Sequence, residues 1–134
     1  MRRLFFMAII AVIGLASCKK DTTDNITLTG TYTGTFVRYG PAVDGIPASV
    51  TITFTGNEFS GTGQLPTYPA LCNGTFSING NKGTFENKCV WTANFDWTLI
   101  LNGEYDIHID GDNLYIYRSY NGAYFDSYNL KRKN

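Results

Sequence analysis

From Leu28 onward, apolar and polar residues exchange places with a period of two. Val50, Ile52 and Phe54 alternate with Ser49, Thr51, Thr53 and Thr55, and Phe95, Trp97, Leu99 and Leu101 alternate with Asn94, Asp96, Thr98 and Asn102. Successive side chains of an extended strand point to opposite faces, so this pattern marks strands with one buried and one wet face. It predicts strands near 30–38, 48–55, 58–65, 72–79, 82–89, 94–101, 105–110, 113–120 and 124–131. Nothing reads as a long amphipathic helix, and residues 28–134 form one domain.

The connections set the topology. Gly56-Asn57, Gly80-Asn81, Asn102-Gly103, Gly111-Asp112 and Asn121-Gly122 all supply residues that tolerate positive φ, the chemistry of tight hairpins. Consecutive hairpins make a meander. A sheet with one apolar and one threonine-rich face hides the apolar face and its own edges by curling into an antiparallel up-and-down barrel of eight to nine strands. A β-sandwich is the alternative, but its Greek-key crossovers need longer connections than most of these turns provide. An up-and-down trace puts the turns 56–57, 80–81, 102–104 and 121–123 at one end, and the loops 39–47, 66–71 and 90–93 at the other.

At this point a family resemblance enters. Leu28-Thr29-Gly30-Thr31-Tyr32 resembles the opening Gly-X-Trp element of lipocalin-like barrels, with Tyr32 in place of the tryptophan. The loop Tyr39 to Pro47 sits where that family has its lid, and Arg118 resembles the arginine the family packs over its first-strand aromatic. The resemblance implies a barrel that holds a small ligand, with Arg118 stacked on Tyr32 at the closed end; the last hairpin places Asp126 across from it as its charge partner.

Whether the barrel has room is a question of volume, since eight strands enclose a space that side chains alone can fill. By the predicted register Tyr32, Phe36, Val50, Ile52, Phe54, Phe59, Phe76, Phe85, Trp97, Leu99, Ile107 and Ile116 point inward, with Gly34, Gly61, Gly63, Gly74 and Gly83. The glycines either leave space or let the strands bend. Phe36, Val50, Leu65 and Trp97 are the candidate lining of an apolar ligand site at the barrel mouth. The last strands carry aromatics on both faces: Tyr120, Tyr124 and Tyr128 inward, Tyr115, Tyr117 and Phe125 outward. Outward rings on a rigid sheet offer a patch for a glycan or a protein, which is the alternative site.

The first residues change the picture of where this domain lives. Met1-Arg2-Arg3 is a cationic head, Leu4 to Leu15 an unbroken apolar run, and Lys19-Lys20 ends it short of the roughly 20 residues a membrane-spanning helix needs. Leu15-Ala16-Ser17-Cys18 resembles the lipobox of bacterial lipoproteins, which implies a signal peptide over 1–17 and lipid on Cys18. Acyl chains contribute about 0.8 kcal/mol per buried methylene, so two or more anchor a protein lastingly. Residues 18–27, polar from Lys19 to Asn25, read as a flexible tether. Lys19 stands where an aspartate would resemble an inner-membrane retention signal, which favours the outer membrane, with either leaflet open. Asp21-Thr22-Thr23 resembles a short bacterial O-glycosylation acceptor on Thr22, though plain tether is the preferred reading.

Cysteine count and charge agree with that address. Three cysteines would leave a stray thiol in an oxidising compartment, but lipid on Cys18 leaves Cys72 and Cys89 as a pair. If Gly80-Asn81 is a two-residue turn, Asn79 faces Lys82 and later partners have numbers summing to 161, which pairs Phe76 with Phe85 and Cys72 with Cys89. By alternation Cys72 and Cys89 form a non-hydrogen-bonded pair, with Cα atoms about 4.5 Å apart, close enough for a disulfide. The chain has 11 basic and 11 acidic residues, and the leader removes only Arg2 and Arg3, so no basic footprint for nucleic acid exists.

Catalytic and metal chemistry find little to build on. Asp106 and His108 share a strand face and are a conceivable zinc pair, but the chain has one histidine and an alternating polar face is what a half-buried strand needs anyway. That histidine lacks a nucleophile elbow, and Asp110-Gly111-Asp112-Asn113 lacks the spacing of a calcium loop. The sequence therefore predicts a non-catalytic binding lipoprotein without a cofactor.

Overall fold

The computed structural model describes residues 25–92 and 94–134, apart from the side chain of Asp44. The leader 1–17, Cys18 and Thr22 lie outside the described residues. Nine strands follow one another: β1 (Gly30–Gly40), β2 (Val43–Asp44), β3 (Ala48–Thr55), β4 (Glu58–Gly63), β5 (Asn73–Asn79), β6 (Lys82–Asn87), β7 (Gly103–Asp110), β8 (Asn113–Tyr120) and β9 (Tyr124–Arg132). Each pairs antiparallel with its neighbour, and β9 returns to β1 from Tyr32↔Arg132 to Tyr39↔Phe125. The fold is a closed eight-strand up-and-down barrel, with β2 a two-residue flap on the end of β1. Closure leaves no free edge along the eight main strands, which decides against the sandwich.

The β5–β6 hairpin has the predicted register, with Asn79↔Lys82, Phe76↔Phe85 and Gly74↔Asn87 paired around Gly80 at φ +60°. The Cys72–Cys89 disulfide forms just beyond it, with Cα atoms 6.3 Å apart. That is wider than the predicted pair, because the ladder ends at Asn73 and Asn87 and the two cysteines flank it.

One predicted strand is absent. Residues 94–101 form no strand; a loop from 88 to 102 contains a single 3₁₀ turn, Trp97–Leu99, whose start is capped by Asp96 accepting from the Thr98 amide. The alternation there misleads because an Asp-X-Thr cap competes with extended structure for the same backbone N–H. Losing that strand reverses the direction of every later one. Turns 56–57, 80–81 and 111–112 close one end, while 121–123 joins the loops 41–47, 64–72 and 88–102 at the other. Arg118 therefore sits at the loop end, not the closed end. The residue over Tyr32 is Arg132, its guanidinium 4.9 Å from the ring centroid and its Nη2 donating to Tyr32 Oη at 2.6 Å.

Rings fill the barrel. Phe54 packs edge-on to Phe76 and Tyr32, Phe59 and Tyr105 edge-on to Phe85, and Phe36 against Tyr128 at 4.8 Å between centroids. Leu28, Leu71, Leu101, Leu114 and Leu130 complete this core. The inward glycines do not leave voids: a Cβ on Gly83 would lie 2.9 Å from Ile107 and one on Gly61 3.2 Å from Leu71. At Gly34 the strands approach so closely that a Cβ would sit 2.0 Å from the Asn129 carbonyl oxygen.

Candidate functional site

The open end of the barrel is sealed by charge. Arg38 and Asp126 occupy inward positions of neighbouring strands, buried at 3% and 1% exposure. Arg38 donates from Nε and Nη2 to the two Asp126 carboxylate oxygens at 2.6 and 2.7 Å, a bidentate geometry. Its Nη1 reaches Asp96 Oδ2 at 2.9 Å and Thr98 Oγ1 at 2.8 Å, and Nη2 reaches the Thr98 carbonyl at 3.2 Å. All five guanidinium hydrogens thus find acceptors. Arg118 adds Nε to Asp126 Oδ2 at 3.4 Å and donates to the carbonyls of Thr98 and Asn102 at 2.5 and 3.0 Å. Its guanidinium also lies 4.4 Å from the Tyr105 ring centroid, so the predicted Asp126 partner holds but the aromatic partner is Tyr105 rather than Tyr32.

The titration behaviour of this cluster follows its burial. Burial opposes the charge on Arg38, yet Asp126 and Asp96 outweigh it and raise its pKa further. Partial burial pushes the Asp96 carboxyl upward, but bonds from Thr98 and the Arg38 charge prevail and hold it below the ordinary value of 3.8. Burial drives the hydroxyls of Tyr105 and Tyr128 well above the ordinary tyrosine range. Chemically this is a rivet: it fastens the loop 88–102 across the end of the barrel.

The four residues expected to line a mouth do not converge. Phe36 and Val50 are core, at 0% and 3% exposure, beneath the rivet. Leu65 lies on the rim, half exposed, beside Ala42, Val43, Ile46 and Tyr68 in a shallow apolar depression. Trp97, 57% exposed, borders a separate depression with Val90, Trp91 and Ile100. The other inward assignments hold for the barrel strands, with Tyr120 and Tyr124 only partly covered.

The outward aromatics do converge. His108, Asp110, Tyr115, Tyr117, Phe125 and Ser127 line one depression on the outer face of β7, β8 and β9. The rings lie in pairs: His108 stacks on Tyr115 at 5.8 Å and 28°, and Tyr117 lies against Phe125 at 6.0 Å and 33°. Tyr39 on β1, 52% exposed, is the register partner of Phe125 and extends the series. The result is a diagonal stripe of rings crossing β7, β8, β9 and β1 from the closed end to the rim. With strands about 4.8 Å apart and outward residues about 6.8 Å apart along a strand, it spans on the order of 20 Å.

His108 belongs to this stripe as a ring stacked on Tyr115. Asp106 is engaged by Lys82 at 2.8 Å, and no group of three or more His, Cys, Asp or Glu suited to a metal occurs among the described residues. Sequence reasoning missed Arg38 and Tyr39. Arg38 was detectable as a charged residue at an inward position of the first strand, where a lone charge would need a partner. Tyr39 was assigned to a loop because the first strand runs two residues further than its apolar pattern.

No protein-family model, curated protein or solved structure matches this chain. The class that the structure itself defines is a small, closed, disulfide-bonded antiparallel β-barrel with a core of buried aromatic and aliphatic side chains.

Proposed function

We propose that the mature chain is a lipoprotein, held at the outer membrane by lipid on Cys18, and that it works as a non-catalytic binding module through the outside of its barrel. The observation carrying this reading is the pairing of His108 with Tyr115 and Tyr117 with Phe125 on one outer face, beside a barrel whose interior is occupied by its own rings. The lipobox-like Leu15-Ala16-Ser17-Cys18 supports the anchor, and the even pair Cys72–Cys89 supports an oxidising compartment. The lipocalin-like resemblance supports a binding role, but an apolar ligand between Phe36 and Val50 would have to displace packed rings and the Arg38–Asp126 rivet. A surface built on strands is also held more rigidly than one built on loops.

Tyrosine nitration tests the reading. Tyr39, Tyr115 and Tyr117 are expected to be protected in the lipoprotein within its own membranes and to become reactive once it is purified in detergent. Equal nitration in both settings would argue that the stripe contacts nothing.

A further inference from the structure

We infer that the stripe takes the ring faces of an extended, uncharged glycan chain, an inference that rests on the stripe being the contact surface. Its shape is the first reason. A rigid diagonal of rings, on the order of 20 Å long and one ring wide, matches a linear polymer of small flat units better than a broad partner. Size is the second. Phe125 is 40% exposed and Tyr115 and Tyr117 less, so the stripe presents a few partly exposed rings, whereas a stable protein interface buries roughly 800 Å² of polar and apolar surface per partner, over about 20–30 residues a side. Protein hot spots also centre on desolvated pockets, whereas this depression is shallow and open.

Chemistry is the third reason. A sugar ring has an apolar C–H face and a polar hydroxyl edge, so it needs aromatic faces with hydrogen-bonding groups set between them. Ser127 and Asp110 line the depression among the rings, and Asn129 Nδ2 donates to Ser127 Oγ at 3.2 Å at its margin. The phenol groups of Tyr115 and Tyr117 add donors at the edge. Neither Lys nor Arg lines the depression, while Asp110 does, which disfavours sulfated, phosphorylated or uronic-acid chains.

Titration of the full lipoprotein in detergent with linear oligosaccharides of two to six rings tests this, using β-1,4-glucose, β-1,4-N-acetylglucosamine and α-1,4-glucose series followed by calorimetry. In at least one series affinity should rise with chain length to about four rings and then level off. Tyr117→Ala should weaken that binding about tenfold while costing no more stability than a cross-strand aromatic pair contributes, so that the protein stays folded at the assay temperature, and Tyr117→Phe should stay within about threefold of wild type. Absence of binding in all three series, affinity independent of length, or an unaffected Tyr117→Ala would each overturn the glycan assignment. The nitration footprint separates this failure from that of the parent reading. Tyrosines protected in membranes, with protection abolished by protease treatment but not by periodate, would keep the outer contact surface and make its occupant a protein, overturning the glycan.

Discussion

Asp126→Ala is the perturbation whose size the structure fixes most closely. The Asp126 side chain is 2% exposed and accepts two bonds from Arg38, itself 4% exposed, and one from Arg118. Removing one member of a buried ion pair costs about 3–5 kcal/mol, because a charge is left without its partner in a poorly solvated place. Arg38 would keep Asp96 at 2.9 Å and both Thr98 contacts, which places the loss near the lower figure, about 3 kcal/mol. For a domain of this size, about 4–8 °C per kcal/mol converts that to a drop on the order of 12–24 °C in melting temperature. The assay is thermal and urea unfolding of the unlipidated Cys18→Ser protein with its disulfide intact. The double variant Arg38→Met, Asp126→Leu removes both buried charges and should lose less than Asp126→Ala alone. A loss under about 1 kcal/mol, the range of surface pairs, would refute the view that this cluster fastens the loop across the barrel end.

Further outcomes follow from the same geometry. The Asp96 carboxyl has a folded pKa below its ordinary 3.8, so its contribution is present above that value and lost as pH falls through the lower folded value. The stability difference between wild type and Asp96→Asn, measured by urea unfolding across pH 2 to 6, should therefore be constant above about pH 5 and shrink below it; a difference that grows with acid would contradict the sign. Reducing Cys72–Cys89, 17 residues apart, should cost about 3 kcal/mol by the loop-entropy model, read as a lower urea midpoint, and unchanged stability would contradict it. Metabolic labelling with a fatty-acid analogue should tag the wild type and not Cys18→Ala, which should also leave the membrane fraction; labelling that survives the substitution would remove the anchor.

Much of the fold was legible because period-two alternation and hairpin chemistry are local signals. Strands β3, β8 and β9 and the β5–β6 register read directly from them, since Val50-Ile52-Phe54 and the Gly80-Asn81 turn admit few other arrangements. The segment 94–101 shows the limit. Its apolar period is as regular as that of a strand, yet Leu101 is buried while Trp97 is exposed, because tertiary bonds from Arg38 and Arg118 hold Asp96 and Thr98 in a capped turn. Those partners lie far away in sequence, at 38 and 118, and no local pattern announces them. The error then propagated, because one strand too many reversed the ends and sent Arg118 to the wrong aromatic. The site was legible in part for the same reason. Outward Tyr115, Tyr117 and Phe125 follow from alternation within a strand, whereas the addition of His108 and Tyr39 depends on the pairing of β7 with β8 and of β9 with β1.

Native mass spectrometry of the mature lipoprotein, taken from its own envelope in mild detergent, tests the central claim most directly, because it weighs the anchor and any barrel occupant together. The account predicts a mass beginning at Cys18 with its acyl chains, and no apolar small molecule that stays bound until the barrel unfolds. A stoichiometric apolar molecule released only on unfolding, or a mature chain without lipid, would contradict it.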